Sequence, residues 1–414
     1  MSVSYPIRPV DDPEMLAFAQ VGLQAFNSTW PPEELVELDR MVWEGERTLA
    51  AFDDDRMVGT ALAYSFGMTV PGGGVVDTAG VSSVCVLPTH RRRGILSALM
   101  RRQLSDVAAG GEPVAALFAS EAVIYGRYGY GAASEQLAFT LHRGEGTLRV
   151  PQERAPTLRL AEPGSAIGAL RQVYEQVRPT RPGMLTRTDG RWQLHTSDPD
   201  FLRDGSGPLR CVIAEDEAGP RGFMMYTARP GWGSDGMGST SVHVYELLWA
   251  DTAACAALWA DILSRDLVTE VTTRLRPADD PLLYLLADRR RARARVSDGL
   301  WIRILDLPAA LSRRRYAAEV DVVLEVTDPL LAGNDGRWRL RAGGLSDAKP
   351  VCERTAAPPD LALAVSALGA AYLGGTRLSA LAAAGQVTEI RPGALAELSA
   401  AMWWDPAPWS AFMF

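Results

Sequence analysis

Residues 84–97 constrain the fold of this chain more than any other segment. A short strand-forming run at 84–86 stops at Pro88, three arginines and a glycine follow, and apolar residues at helical spacing begin at Ile95. A strand, a tight loop and a helix N-terminus in this order form an anion site. The backbone N–H groups of the first helical turn lack partners, and the helix dipole adds partial positive charge. Gly94 leaves room for a phosphate to approach the backbone, and the arginines add charge at the mouth of the site.

The spacing of these residues resembles the coenzyme-A loop of the Gcn5-related N-acetyltransferases (GNAT). That loop has the pattern Arg/Gln-x-x-Gly-x-Gly/Ala. Here Arg91-x-x-Gly94-x-Leu96 follows the pattern, except that Leu96 replaces the last small residue. The resemblance predicts a loop that binds the phosphates of coenzyme A, and the alternative is a solvated basic turn in front of an ordinary helix.

Composition limits the classes of protein to which the chain can belong. Its 414 residues are enough for about three domains. The formal net charge of −8 argues against general nucleic-acid binding and is compatible with a cationic substrate. No apolar run is long enough to cross a bilayer, and residues 1–6 lack the features of a signal peptide. We therefore expect a cytoplasmic location, with neither nucleic acid nor membrane as a partner.

The four cysteines and four histidines give no sign of metal chemistry. The cysteines lie far apart and the histidines show no ligand spacing, so we expect neither a metal site nor a disulfide framework. Cys85 lies inside the strand before the loop, where a buried structural cysteine is expected rather than a nucleophile.

The first segment, residues 1–148, alternates strands and helices, which is typical of an α/β sheet. Acidic residues around Pro13 favour the start of a helix, because the positive end of the helix dipole stabilises them. In chain order we predict a strand at 7–10, a helix at 33–42, strands at 48–52, 57–65 and 79–87, a helix from 95 to at least 107, and a strand at 114–119.

The second segment, residues 149–292, repeats part of the first at a constant offset of 163 residues. The matching strands are 47–51 with 210–214, and 59–64 with the strand that begins at 222. Carried further, the offset places 84–86 on 247–249, and the loop 91–94 on 254–257, which has neither arginine nor glycine. We predict a duplicated fold in which only the first copy keeps the anion site; chance similarity of two amphipathic strands is the alternative.

The third segment, residues 293–414, has the pattern of an α+β domain. We predict strands at 320–326 and 337–341 and helices at 361–373 and 378–384. The basic run at 288–295 is expected to be a solvated helix end. Residues 402–414 contain three tryptophans and two phenylalanines, and we expect them to dock in a groove, because exposing these rings to water is unfavourable.

A turn-rich loop at 120–131 carries three tyrosines beside the predicted anion site, with glycines at 126, 129 and 131. A phenol can donate to a departing thiolate. For Tyr128 and Tyr130 we favour ordinary packing with hydrogen-bonded hydroxyls.

Over its whole length the chain resembles the enhanced intracellular survival (Eis) family of actinobacterial acetyltransferases. The similarity rests on Val-x-Pro-Thr-His-Arg-Arg-Arg-Gly at 86–94, on Ser-Glu-x-x-Ile-Tyr-Gly-Arg-x-Gly-Tyr-Gly at 120–131, and on the aromatic C-terminal end. The resemblance implies two tandem GNAT-like domains at 1–148 and 149–292, the second degenerate, and a sterol-carrier-protein-like α+β domain at 293–414. It also implies acetylation of amines on aminoglycosides and other polyamine-like substrates, and assembly into homohexamers.

The resemblance also implies roles for individual residues. Tyr125 takes the place of the general acid, and the α-carboxylate of Phe414 that of the general base. The residues expected to bind the coenzyme are Val84, Cys85, Val86, Arg91, Arg92, Arg93, Gly94, Ile95, Leu96, Ser97, Ser120 and Glu121. In the N-terminal helical region we expect Phe26, Trp30 and Trp43 to line the acceptor pocket, and core packing is the alternative for each.

These expectations combine into an acetyl-CoA-dependent N-acetyltransferase. It acetylates an amine of a cationic, aminoglycoside-like small molecule by direct transfer in a ternary complex. Two alternatives stay open: the acceptor is an amine on a protein or peptide, or the chain is a lipid or sterol carrier whose GNAT halves are scaffolds.

Overall fold

The computed structural model describes residues 5–149, 156–234, 236–345 and 349–414, and their strands form three sheets. Two sheets have seven strands each and the third has five. Helices pack on all three sheets. The predicted α/β and α+β classes are therefore confirmed.

The first segment contains every element that its periodicity predicts. The strands β3 and β4 are longer than predicted, because they continue as a hairpin to Thr69 and Val75. Before α1, the Glu14 carboxylate accepts a hydrogen bond from the Asp11 N–H at 3.1 Å, as in a capping box. The elements are β1 (Ile7–Pro9), α1 (Met15–Phe26), α2 (Pro32–Asp39), β2 (Thr48–Asp53), β3 (Arg56–Thr69), β4 (Val75–Val86), α3 (Ile95–Ala109), β5 (Val114–Phe118), α4 (Ala122–Tyr125), β6 (Gly131–Ala132) and β7 (Glu135–His142).

The second segment repeats this order, which confirms the duplication. In each copy an antiparallel hairpin is followed by a strand, a helix and a parallel strand: β4, α3 and β5 in the first, β11, α7 and β12 in the second. The elements are β8 (Thr157–Ala161), α5 (Ile167–Val177), α6 (Asp189–Thr196), β9 (Arg210–Asp216), β10 (Gly219–Arg229), β11 (Thr240–Trp249), α7 (Thr252–Ser264), β12 (Val268–Pro277) and α8 (Leu282–Leu285).

The two seven-stranded sheets exchange strands. After α8 come β13 (Arg295–Asp298) and β14 (Leu300–Ile304). β14 inserts into the first sheet between β5 and β6, whereas β7 pairs with β12 and β13 in the second. The strand orders are β1-β2-β3-β4-β5-β14-β6 and β13-β7-β12-β11-β10-β9-β8. The first sheet thus contains β14 from the third segment, and the second sheet contains β7 from the first and β13 from the third. The segment bounds at 148 and 292 therefore do not coincide with the bounds of the sheets.

The third segment is an α+β domain, but the predicted helix at 361–373 is partly wrong. Residues 361–364 form a strand parallel to β15, because Leu361 and Leu363 alternate inward at strand spacing, and the helix begins only at Val365. The elements are α9 (Leu307–Ser312), β15 (Glu319–Thr327), β16 (Gly336–Gly343), β17 (Val351–Arg354), β18 (Leu361–Ala364), α10 (Val365–Ala371), α11 (Leu378–Ala383), β19 (Val387–Glu389) and α12 (Ala394–Met402).

The basic run at 288–295 is exposed for most of its length, but it is not the end of an α-helix. It forms one 3-10 turn and then enters β13. The carboxylate of Glu145 accepts hydrogen bonds from Arg291 and Arg293. Two arginines of the run are therefore paired with an acidic residue of the same chain.

Residues 403–414, which we call the tail, have no regular secondary structure and lie against the protein. The side chains of Trp409, Ala411 and Phe412 are buried, so the predicted docking is confirmed. Among the described residues, no helix has both the length and the apolar composition that a membrane span requires.

Candidate active site

A cleft opens where β4 and β5 part. The two strands pair only from Thr78 to Gly80 and from Val114 to Ala116, and β4 then bends at a bulge beside Ser83, whose φ is +51°. The Thr60 hydroxyl donates to the Ser83 carbonyl at 2.7 Å, which holds the bulge in place. The last residues of β4, at 84–86, therefore leave the parallel pairing and can face a ligand.

The loop after β4 presents backbone N–H groups to this cleft. Arg92 and Gly94 both have positive φ, +62° and +85°, and α3 begins directly after Gly94 without a side-chain cap. A Cβ built on Gly94 would meet no atom within 4 Å, so the space in front of the helix is open. The His90 ring tethers the loop to β2 through a hydrogen bond with the Asp53 carboxylate at 3.0 Å. Open space, free N–H groups and arginines suit a pyrophosphate.

A cavity of about 490 Å³ brings the predicted coenzyme residues together. Of these residues only Arg93 lies outside it, because its guanidinium turns away and donates to the Tyr5 hydroxyl at 2.9 Å. The predicted residues that line the cavity are Val84, Cys85, Val86, Arg91, Arg92, Gly94, Ile95, Leu96, Ser97, Ser120 and Glu121. Sequence reasoning missed His90, Ile124 and Arg127, which also line it, although all three stand in the motifs at 86–94 and 120–131.

Tyr125 lies at the wall of the same cavity and is 5% exposed. Burial, with smaller contributions from the neighbouring Cys85 and Glu121, raises its pKa to about 12. Within the described residues its hydroxyl has no hydrogen-bond partner. Tyr125 therefore keeps its proton at neutral pH and has a donor to offer a ligand.

The other two tyrosines of the loop differ from each other. The Tyr128 hydroxyl is 3.0 Å from the Ser97 Oγ, as expected of a packed and satisfied side chain. The Tyr130 hydroxyl is buried without a partner in the described residues, so the expectation of a satisfied hydroxyl is wrong there. Its ring packs edge-on against Tyr125 at 5.9 Å, beside the buried Arg303.

Phe414 reaches the cleft from the opposite face of the sheet. The Ser82 hydroxyl donates to the main-chain oxygen of Phe414 at 3.0 Å, and the Phe414 ring lies 5.0 Å from Phe66 and 5.5 Å from Phe118. A Cβ on Gly80 would overlap the Phe66 ring and come within 3.0 Å of the Phe414 ring, so the packing of these two rings requires glycine there. Tyr125 packs in the core beneath α3, so the two candidate catalytic groups flank the opening from different faces.

The three residues expected at the acceptor pocket do not come together. Phe26 is 54% exposed and lines the coenzyme cavity. Trp30 lies at the surface with its ring edge against Phe201, 6.2 Å away. Trp43 packs in the core edge-on to Phe18, and its buried indole nitrogen has no hydrogen-bond partner among the described residues. Trp43 therefore packs in the core, which was the alternative to a place in the acceptor pocket.

The described connection between β11 and α7 in the second domain has no counterpart of this loop, although the predicted alignment of its residues is wrong in detail. Residues 254–257 lie inside α7 rather than before it. Only 250–251 separate β11 from α7, whereas 87–94 separate β4 from α3. The Asp251 carboxylate also caps the helix by accepting from the Ala254 N–H at 2.9 Å. A shortened loop and a carboxylate at the helix end both exclude a pyrophosphate.

Comparison with known proteins agrees with this architecture. Residues 6–133 and 183–304 each match an acetyltransferase (GNAT) domain family, and residues 307–411 match a sterol carrier protein domain family. A solved structure of Eis1 from Mycobacterium abscessus superimposes with a TM-score of 0.83 at 32% identity, covering 99% of this chain and 100% of that one. A GCN5-related N-acetyltransferase from Anabaena variabilis has the same fold, with a TM-score of 0.83 at 20% identity, over 99% of this chain and 100% of that one.

The fold and the cleft define an acetyltransferase of the GNAT class with a sterol-carrier-type domain at its C-terminal end. An uncharacterized N-acetyltransferase from Streptomyces coelicolor is 45% identical over 393 residues, or 94% of each chain. N-acetyltransferase Eis from Mycobacterium tuberculosis is 34% identical over 366 residues, or 86% of each chain. The chain belongs to the Eis family of GNAT acetyltransferases and is an acetyl-transfer enzyme.

Proposed function

We propose that this enzyme transfers an acetyl group from acetyl-CoA to an amine of a cationic small molecule, directly within a ternary complex. The observation that carries the proposal is the opening between β4 and β5, which has the coenzyme cavity on one face and Phe414 on the other. Two reactants can then meet through the sheet without a covalent enzyme intermediate. The acidic net charge of −8 supports a cationic acceptor.

The coenzyme-A phosphates bind at the start of α3 in this proposal. The N–H groups of the first turn and the guanidinium groups of Arg91 and Arg92 supply the donors. Burial raises the pKa of the Cys85 thiol, so the thiol stays neutral. Cys85 therefore forms part of the cavity wall and does not act as a nucleophile.

Tyr125 acts on the departing sulfur as a hydrogen-bond donor. Burial raises its pKa to about 12, above the value of about 8.5 for a thiol in water, so the phenol oxygen holds its proton tightly. A phenol that keeps its proton still stabilises the charge that develops on sulfur. We therefore assign Tyr125 to thiolate stabilisation, with the proton held on the phenol oxygen.

Phe414 acts on the amine in this proposal. A terminal α-carboxylate has an intrinsic pKa of roughly 3.3–3.7, so it is ionised and attracts an ammonium group. It is a weak base towards an amine unless the site excludes water, and the rings of Phe66 and Phe118, which pack against the Phe414 ring, supply apolar surface beside it. Its proposed role is to anchor the acceptor and to accept its proton.

Extending the chain beyond Phe414 tests this role directly. We expect a short C-terminal tag to lower kcat by roughly 100-fold or more, because the carboxylate is replaced by a peptide bond. The same tag at the other end of the chain serves as the control. Steady-state rates with a panel of amines, with products identified by mass spectrometry, measure the effect and identify the acceptor. Unchanged turnover in the C-terminally tagged enzyme would remove Phe414 from the mechanism.

Gly94→Ala is expected to weaken acetyl-CoA binding at least tenfold. The residue has a φ of +85°, where a Cβ costs about 1–2 kcal/mol, and the new methyl group enters the space proposed for the pyrophosphate. Gly144→Ala is a matched control, because Gly144 has a φ of +79° and equally open surroundings outside the cavity. Calorimetric titration with acetyl-CoA should show a loss only for Gly94→Ala. Equal affinities in both variants would contradict the assigned phosphate site.

The finer features that the resemblance implies belong to the same proposal: a homohexamer, located in the cytoplasm. Light scattering should then give a mass near six times the 44.8 kDa of one chain.

A further inference from the structure

The second domain has its own opening between parallel strands, and a buried cation fills it. β11 and β12 pair in parallel from Thr240 to Val244, and β11 then continues to Trp249 beside β10 but without β12. The Arg276 guanidinium lies there and donates to the Leu247 carbonyl at 2.7 Å and to the Asp280 carboxylate at 2.8 Å. The side chains of Arg276 and Asp280 are 1% and 0% exposed. This is the position that corresponds to the coenzyme opening of the first domain.

The tail covers this filled opening with Trp409. The Trp409 ring stacks on Trp249 with 6.4 Å between centroids, and Arg276 lies 5.5 Å from the ring centre. Its indole N–H donates to the Leu275 carbonyl at 2.6 Å, and its backbone N–H donates to the Pro182 carbonyl at 2.8 Å. Trp409 is thus fixed by one hydrogen bond from its indole, one from its backbone and a cation whose charge is neutralised within the second domain.

Arg276 against the Trp409 ring forms one clamp on the tail, and a second clamp of the same kind, a buried arginine against an aromatic ring, holds Phe412. The Arg187 guanidinium lies 4.5 Å from the Phe412 ring centre and is itself paired with the Glu246 carboxylate at 2.7 Å. His195 completes the pair from the other side of the carboxylate. The side chains of Arg187 and Glu246 are 0% and 1% exposed. Buried ion pairs are a weak source of stability, but they fix a guanidinium plane against which an aromatic ring can be positioned.

We infer that the degenerate domain serves as a receptor for the tail, and that Trp409, Arg276 and Arg187 are positioning residues for Phe414. Trp409 and Phe412 are held at two points of the second domain, and Phe414 follows two residues later. The two clamps leave little slack, so they set where the Phe414 main chain meets Ser82 at the cleft of the first domain. The catalytic consequence rests on the proposed function of Phe414, whereas the anchoring itself does not.

Trp409→Ala tests the anchoring against a matched control, Trp338→Ala. Trp338 is also buried, also donates its indole N–H to a carbonyl, at 2.8 Å, and also carries an arginine over its ring, but it lies in the third domain away from the tail. Hydrogen exchange followed by mass spectrometry on the full chain reports the protection of residues 405–414. We expect at least tenfold faster exchange there in Trp409→Ala and no change in Trp338→Ala. We also expect kcat to fall at least tenfold in Trp409→Ala, with acetyl-CoA affinity within threefold of the parent.

Each other outcome has a definite meaning. Parent-like protection of the tail in Trp409→Ala, or equal deprotection in both variants, overturns the anchoring. A deprotected tail with unchanged kcat leaves the anchoring intact and overturns the proposed role of Phe414. If Trp409→Ala does not fold, Trp409→Phe replaces it: the ring stacking is kept and only the hydrogen bond to Leu275 is lost, so a smaller but still selective deprotection of the tail is expected. Parent-like protection in Trp409→Phe would count against the anchoring.

Discussion

Tyr125→Phe should lower kcat by roughly 100-fold or more while leaving acetyl-CoA affinity within about threefold. The substitution keeps the buried ring, which packs against Tyr130, and removes only the hydroxyl. That hydroxyl has no partner within the described residues, so its loss breaks no internal hydrogen bond. Since burial raises the pKa of Tyr125 to about 12, the phenol of the parent enzyme stays protonated up to about pH 10, and its titration should cause no alkaline loss of kcat below that pH.

Tyr130→Phe is the matched control for this experiment. The Tyr130 hydroxyl is fully buried and has no partner in the described residues, so its removal relieves an unsatisfied group and should leave stability equal or higher. Turnover should stay near the parent value. If Tyr125→Phe and Tyr130→Phe have equal kcat, then Tyr125 is a packing residue and the thiolate needs another donor. Steady-state kinetics with calorimetric binding of acetyl-CoA separates these cases.

A fragment of residues 1–148 should not fold on its own. It lacks β14, whose Leu300, Ile302 and Ile304 are each completely buried in the first sheet. Burial of such side chains contributes about 1.5–3 kcal/mol each, and their combined loss of about 5–9 kcal/mol is comparable to the entire stability of a typical domain. The fragment should show no cooperative thermal transition by circular dichroism and no acetyl-CoA binding.

The control restores only the missing strand. Residues 295–306, joined to residue 148 through a flexible linker, supply β14, and we expect this fragment to regain a cooperative transition and measurable acetyl-CoA binding. Residue 295 pairs with Ala138 of β7, so the added segment starts near the strand that precedes the junction. A cooperative transition in the fragment 1–148 without that strand would show that the exchange is dispensable.

Local patterns in the sequence were sufficient for most of the first domain. Strand alternation and helical spacing predict β4 and α3, which lie on either side of the loop 87–94. The residues of the loop predict that an anion site lies at the start of α3. All of these depend on interactions within a few residues, or on one strong signal such as Gly94 between arginines. The resemblance added Tyr125 and Phe414, which periodicity alone does not single out.

Long-range pairing explains what the sequence did not predict. Nothing local marks β14 as a strand of the first sheet, because its partners lie more than 160 residues earlier. The strand at Leu361 carries leucines and alanines that suit a helix, and pairing with β15 overrides that preference. A constant offset could not reveal that the loop after β11 is shorter than its counterpart, since the helix continues the same apolar pattern.

The late position of β14 in the chain also determines when the first sheet can be completed during translation. β5 ends at Phe118, but its partner β14 ends at Ile304, so at 5–20 residues per second the first sheet waits about 10–40 s for the strand that completes it. During this interval the β5 edge is an unpaired strand of mostly apolar residues, a surface that other nascent chains can join. Slower translation of residues 119–304 should therefore lower the yield of soluble enzyme without changing any contact of the finished protein.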